Sequence, residues 1–510
     1  MLTRRRFLVT GIGLVALHAS SRARAAPRFE ADPFALGVAS GYPTPHGVTL
    51  WTRLAPHPLA PAGGMPATDV DVHWEVARDD RFREVVRRGT ARAEPTWGHS
   101  VHVDVTGLAP DRAYCYRFRA GNALSTVGRT RTAPAVASSP RLLRLALCSC
   151  QHYEHGHYAA YRQLVSDDPD LVVHVGDYIY EGSYGPDKVR QHAGPDPRTL
   201  EEYRTRYACY RLDPALQRAH AACPWVAVWD DHEVENDYAR DRSEYDADTE
   251  RFLARRVAGY RAYYEHLPLP ARMRPGADGM RIYTALDWGR LARIALLDTR
   301  QYRGYAPCWQ ATHDEFGRAC GVREDPAATL LGAAQETWLD DALRASHARW
   351  NIIAQQVLMA RSDLFAGPRE QLPRQSWDGY PAARLRLFDA LARHAVPNPV
   401  VLSGDVHSYW INDLRRDFLR PETSPVAAEI VTTSISSRGM DEDYIREVRR
   451  DSPHVKFATG RFRGYTRIDV TPARATADLR AVVRVQDPTS LGFTLSSWVV
   501  EAGRPGIQRA

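Results

Sequence analysis

The sequence predicts an all-β domain followed by a layered α/β domain, and three observations predict it. From residue 32 to residue 132, apolar and polar residues alternate between Gly, Pro and Asp turns. Beyond Arg141, continuous apolar runs alternate with helical stretches, the pattern of strands buried on both faces. Several of those runs then end in acids, sulfur or imidazole, which is what an α/β sheet offers when it builds one site at its carboxyl edge.

The N-terminus reads as an address rather than as structure. Thr3-Arg4-Arg5-Arg6-Phe7-Leu8 precedes a mild apolar run from Val9 to Ala19, and Ala23-Arg24-Ala25 offers a cleavage site. Paired arginines followed by Phe-Leu resemble a twin-arginine signal, assigned to residues 1–25. The apolar run is shorter than the roughly 20 residues that span a bilayer, so the mature chain is expected to carry no transmembrane anchor. The expected partner is the twin-arginine export machinery, which carries folded proteins, and the expected location is the periplasm or the exterior.

Within residues 32–132, WEVARDD, SVHVDVTGL and AYCYRFRAG are the clearest strands. The stretch Thr106-Gly-Leu-Ala-Pro-Asp-Arg-Ala-Tyr-Cys-Tyr resembles the closing strands of fibronectin- or immunoglobulin-like sandwiches, where the tyrosine after the turn packs at a corner. A small, proline-bearing linker, Thr132 to Pro140, marks the boundary. Residues 141–510 then hold the strand runs LRLALC, LVVHVGD, WVAVWD, ARIALLDT, NIIAQQVL and NPVVLSGD. Between them lie helical stretches such as HYAAYRQLVSDD, FLARRVAGYRAYYEHL and AAQETWLDDALRAS. From about Gly464 the alternation returns in GYTRIDVTP and ADLRAVVRVQ, a β-rich tail assigned to the same domain.

Composition bounds the function. The chain has 510 residues, 44% of them apolar, and a formal charge of only +6. The basic residues are almost all arginine, with lysine only at Lys188 and Lys456. No basic block interleaves with aromatics, so no nucleic-acid partner is indicated. Seven cysteines in an exported chain invite disulfides, with Cys308–Cys320 and Cys209–Cys223 as candidate pairs. Cys148 and Cys150, two apart on a strand, point to opposite faces and do not pair.

Four strand ends carry the chemistry. LALCSCQ supplies Cys148. LVVHVGDYIYE supplies Asp177, which projects after the turn at Gly176, and Tyr180, three residues on. A phenolate is a ligand for hard ferric iron, and a carboxylate can bridge two ions. VAVWDDHEVEND packs Asp230, Asp231, His232, Asn236 and Asp237 beside a buried run, where so many acids repel one another unless cations neutralise them. VVLSGDVHSYW adds Asp405, suited to a hard ion such as calcium, and His407, suited to iron or zinc. Arg300, in LDTRQYR after another apolar run, is a candidate to neutralise phosphate or to form a structural ion pair.

Taken together, SCQHYEHGHYAAYRQL, HVGDYIYE, WDDHEVENDYA, LDTRQYR, WNIIAQQVLMA, WDGYPAAR and LSGDVHSYW resemble the PhoD-type alkaline phosphatases of the calcineurin-like and purple acid phosphatase superfamily. The resemblance spans nearly the whole mature chain. It implies a layered metallophosphatase sandwich and a site holding Fe(3+) with Ca(2+). Position by position it implies iron on Cys148, Asp177, Tyr180 and His407. Calcium would lie on Asp177, one of Asp230 and Asp231 (the second favoured), Asn236 or Asp237, and Asp405. It implies hydrolysis of phosphomonoesters and phosphodiesters by a metal-activated hydroxide, with His232 steadying the transition state or protonating the leaving alkoxide. A narrower phosphodiesterase or phospholipase D-like enzyme is the alternative. A cell-surface binding protein with a degenerate phosphatase domain is disfavoured because every expected ligand type is present.

Overall fold

The computed structural model describes residues 27–276, 279–305, 325–363 and 371–510. The export segment, residues 1–25, and the candidate Cys308–Cys320 pair lie outside the described residues. The N-terminal part begins with β1 (Val38–Thr44), β2 (Gly47–Arg53), β3 (Val70–Ala77) and β4 (Val85–Ala93). It continues with β5 (Ser100–Thr106), β6 (Ala113–Ala120), β7 (Ala123–Leu124) and β8 (Gly128–Arg131). Strands β4, β3, β6 and β7 form one sheet, with β8 paired to β6. Val38, Val48, Leu50 and Val103 of the facing strands bury against Val72, Val76, Tyr116 and Phe118 in one core. Tyr114 sits at the predicted corner, where its hydroxyl accepts from the Ala109 N–H at 3.0 Å.

The facing strands β1, β2 and β5 are not a separate sheet. They join β9 (Leu143–Cys148), β10 (Leu171–Val175) and β11 (Trp225–Val228), because β1 runs parallel to β11 with Gly41 opposite Trp225. On the other edge, β19 (Arg463–Val470) pairs antiparallel with β9, followed by β20 (Arg474–Val482), β21 (Gly492–Glu501) and β22 (Gln508–Arg509). The result is a ten-stranded sheet in the order β22-β21-β20-β19-β9-β10-β11-β1-β2-β5.

A second sheet contains β12 (Thr284–Trp288), β13 (Ala292–Leu296), β14 (Trp350–Ala354) and β15 (Pro399–Ser403). Strands β16 (Tyr409–Leu414), β17 (Ala427–Val431) and β18 (Val455–Thr459) complete it in the order β12-β13-β14-β15-β17-β16-β18. Strict alternation splits its two faces. Ile294, Leu296, Ile352, Ala354, Val400 and Leu402 join Leu145, Leu147, Val173 and Val175 of the first sheet in one core. Their neighbours Ala295, Ile353 and Val401 turn instead to α5 (Ala333–Arg344), α6 (Pro381–Arg393) and α7 (Glu442–Arg450). Each fully buried aliphatic residue contributes about 1.5–3 kcal/mol, so both faces are strongly specified.

The opposite face of the first sheet is closed by α1 (Ala159–Ser166) and α3 (Pro214–Ala222), whose Tyr161 and His220 rings meet Trp225. Helices α2 (Leu200–Arg211) and α4 (Thr249–His266) pack on each other. Cys209 and Cys223 correct one expectation: both thiols are free. Cys209 faces Tyr153 and the Ala193 backbone, whereas Cys223 lies beside Asp168 and Asp170, so the two point to different surroundings.

Candidate metal centre

The parallel strands of both sheets deliver their side chains to one edge with a common offset. Cys150, Asp177, Asp230, Asp298 and Asp405 each lie two residues beyond the last residue of β9, β10, β11, β13 and β15. The chain must turn sharply there, and Cys150, Asp177, Asp237, Asp405 and His407 all have left-handed backbone, with φ of 58°, 58°, 54°, 65° and 51°. Such conformations cost roughly 1–3 kcal/mol each and persist where the surroundings fix them. Gly176 is required: its φ is 109°, and a Cβ there would stand 2.4 Å from the Asp230 Cβ.

The first donor group is Cys150, Asp177 and His407, whose ligand atoms lie within 4.8 Å of one another. Tyr180 closes it, donating from its hydroxyl to Asp177 Oδ2 at 2.6 Å and lying 2.9 Å from His407 Nε2. Burial and the Asp177 charge push both the Cys150 thiol and the Tyr180 phenol well up. Burial, with Arg463 and His232 nearby, lowers His407 to about 3 and keeps its imidazole neutral.

The structure places the two cysteines in different surroundings. Cys148 is the last residue of β9, pairs with His174 of β10, and is buried in the core. It belongs to neither donor group; Cys150, beyond the turn, is the sulfur that reaches Asp177 and His407.

The second donor group is Asp177, Asp231 and His232. Asp231 accepts from the His232 N–H at 2.9 Å and the Asp237 N–H at 2.7 Å. Its neighbour Asp230 turns instead to Arg300. Arg300 is 1% exposed and also faces Asp231, Asp237 and Asp405 at 3.4, 3.2 and 3.9 Å. It is an internal counter-charge among four acids, held far above its usual pKa against its burial by Asp230, Asp231 and Asp237. The Asn236 amide donates to the Tyr245 hydroxyl at 2.9 Å and to Asp237 at 3.3 Å. Asp405 lies at the same edge but outside both tight groups.

The charge balance is unfinished. Burial raises Asp177, Asp230, Asp237 and Asp405, with each pushed further by neighbouring aspartates. Asp231 is held low in spite of burial, by Arg300 and His232. Asp177 Oδ1 and Asp230 Oδ2 are buried without a hydrogen-bond partner among the described residues. Orphaned carboxylate oxygens beside a thiol, a phenol and a neutral imidazole fit cation ligation and little else.

Several supporting residues were not singled out in the sequence. Glu181 Oε2 lies 2.7 Å from His232 Nδ1, while Oε1 accepts from the Asn236 N–H at 2.8 Å and the Tyr184 hydroxyl at 3.0 Å. Burial works against the His232 cation, but Glu181, Asp231 and Asp177 outweigh it and hold its pKa well above normal. Glu233 ties two strand ends together, accepting from the Tyr178 and Asp230 N–H groups at 2.6 and 2.9 Å; burial pushes it up to about 8. Ser437 Oγ stands 2.9 Å from the Tyr180 hydroxyl, and Arg463 donates to the His407 carbonyl at 2.7 Å. Glu181 was the one with a signal: it is the acid closing the GDYIYE motif.

A sheet edge carrying buried thiol, phenol, imidazole and carboxylate donors has the chemistry of a metal-dependent enzyme. The chain belongs to the PhoD-like phosphatase family, which matches residues 145–479, and the family's N-terminal domain matches residues 19–134. Alkaline phosphatase D of Bacillus subtilis (strain 168) is 43% identical over 495 residues, covering 95% of this chain and 84% of the relative. The solved structure of PhoD is similar with a TM-score of 0.91 at 42% identity, covering 95% of this chain and 93% of that one.

Proposed function

We propose that this protein is an exported alkaline phosphatase that hydrolyses phosphomonoesters and phosphodiesters. Its two sheets with flanking helices read as the layered metallophosphatase sandwich. The observation that carries the reading is the pair of donor groups sharing Asp177, in a chain of the PhoD-like family. Cys150, Asp177, Tyr180 and His407 would hold ferric iron. Asp177, Asp231, Asn236 and Asp405 would hold calcium, and Asp230 is left to Arg300. The chemistry a bound cation pair supplies is activation of a water and polarisation of the phosphoryl oxygens.

The protein's own groups complete the reaction. His232 engages Glu181 through Nδ1, and its other nitrogen has no protein partner among the described residues. Glu181, Asp231 and Asp177 raise its pKa above the ordinary imidazole value, which places it to protonate the leaving alkoxide. Arg300 fixes the acids from beneath instead of meeting the phosphate. No Ser or Thr nucleophile is required. Location in the periplasm or outside the cell rests on the twin-arginine segment; among the described residues no helix is long and apolar enough to cross a membrane.

Elemental analysis of protein exported with its native metals, paired with mono- and diester kinetics, tests the reading. Iron and calcium are expected, EGTA abolishes activity and calcium restores it. Absence of p-nitrophenyl phosphate turnover in metal-replete protein would sink it.

A further inference from the structure

Beside the donor groups lies a groove of about 400 Å3 that the reaction above does not use. Its inner wall is shared with the site. Ser437 lines it and approaches Tyr180, and Arg463 lines it while holding the His407 carbonyl. Arg463 is 7% exposed and fixed by further bonds to Ser437 O and Ser434 Oγ at 3.0 and 3.3 Å, so it is rigid wall.

The outer wall differs. Arg438, Arg461 and Arg484 are exposed and line the same groove. Several exposed arginines elsewhere pair with carboxylates, Arg251 with Asp246, Arg344 with Asp341 and Arg446 with Asp443. Among the described residues Arg461 and Arg484 have no such ion pair. Arg461 lies over the Phe462 ring at 5.4 Å, and Phe462 packs edge-on against Phe493. Arg438 has only Asp187, at 2.9 Å. Asp187 is 89% exposed, and pairs so exposed contribute little, so an anion can displace it. The groove therefore sets four guanidinium groups, Arg438, Arg461, Arg463 and Arg484, against Asp187 at its rim and Asp487 beside Arg484, on a mixed polar and apolar lining.

We propose that this groove is a subsite for a second phosphate carried on the alcohol part of the substrate, bound by Arg438, Arg461 and Arg484 while the first phosphate occupies the donor groups. The proposal rests on the phosphatase reading. Guanidinium forks match phosphate oxygens bidentately, and the groove lies directly behind Ser437 and Arg463, which touch Tyr180 and His407 of the donor groups. The second phosphate comes either from a terminal phosphomonoester or from the next link of a diester chain.

Calorimetric binding to the metal-loaded enzyme, in calcium-containing low-salt buffer, tests it with butylphosphonate and with α,ω-alkanediphosphonates of increasing spacer length. At one spacer length the diphosphonate binds about tenfold more tightly than the monophosphonate. In Arg461→Gln/Arg484→Gln that ratio falls to about one. A wild-type ratio near one at every length, or a ratio the double variant leaves intact, overturns the subsite. Monomethyl esterification of the distal phosphonate separates the sources: the advantage persists for a diester link and disappears for a terminal phosphate. The same preparation is assayed with p-nitrophenyl phosphate. Failure there defeats the phosphatase reading, while the binding ratio still decides the groove.

Discussion

The two halves of the strand-edge site answer the same electrostatic problem in opposite ways. Around Cys150, Tyr180 and His407, burial keeps the thiol and phenol protonated and the imidazole neutral. Around Asp230, Asp231, Asp237 and Asp405 the groups are acids, and Arg300 is buried among them as a permanent counter-charge. The first half must shed protons to take a cation, so its affinity rises with pH. The second is prepaid in part by Arg300 and needs a cation only for the remaining charge. Asp177 belongs to both donor groups and is where the two halves meet.

Removing that junction is the severest way to break the comparison. Asp177→Asn is expected to lower kcat/KM by about 10³-fold or more, near 4 kcal/mol of transition-state stabilisation, and to reduce both iron and calcium content. A variant losing one metal and keeping the other in full would show that the halves are independent. Next in size, Cys150→Ala is expected to lose bound iron, any thiolate charge-transfer colour and about 10²-fold in kcat. Cys148→Ala should keep colour and metal, with only a small-residue packing loss of about 1 kcal/mol in unfolding free energy. Reversal of the two cysteine results would restore the strand-end residue as the ligand.

Much of this was legible in the sequence, and the misses have physical reasons. The apolar runs became β9, β10, β11, β13, β14 and β15 because burial on both faces requires unbroken hydrophobicity. Asp177, Tyr180, Asp231 and His407 were legible because acids, phenol and imidazole after a buried run have few other uses. The choice between Cys148 and Cys150 was not legible, because a cysteine is equally at home in a core and both residues close the same apolar run. The common two-residue offset to Asp177, Asp230 and Asp405 picks out Cys150 once the strand ends are known. The coupling of the N-terminal strands to the ten-stranded sheet was not legible. It rests on one non-local pairing, Gly41 with Trp225, and sequence patterning carries no information about partners so far apart. Arg300's burial was hidden for a similar reason: its four acids come from two other strand ends.

A smaller effect sharpens the role of the positioning group between the halves. Glu181→Gln leaves the His232 contact sterically possible but removes the largest charge holding that imidazole protonated. A fall in kcat of about 10–100-fold is expected, with the alkaline limb of the kcat–pH profile moved to lower pH. If the profile keeps its midpoint while kcat falls, Glu181 acts only on folding of the loop.

The gentlest test leaves the sequence intact and removes the metals. In the metal-free protein Asp177, Asp230, Asp237, Asp405 and Glu233 titrate above their ordinary range, Glu233 from 4.5 to about 8. The folded state then holds protons the unfolded chain has released, so stability falls as pH rises through that window. His232 adds the same sign: its raised pKa stabilises the fold below its unfolded value, a contribution lost as pH climbs through the folded one. Buried histidines with lowered pKa, His152, His192 and His407 among them, act in the opposite sense below their ordinary value of 6.5, so metal-free protein is expected to lose melting temperature between about pH 6.5 and pH 8, by a few degrees in a domain of this size. Readdition of calcium and iron should flatten that slope, because the cations take the place of the protons. An equally steep slope in the loaded protein would mean that these carboxylates are not the ligands, and would leave Arg300 as their sole neutralising partner.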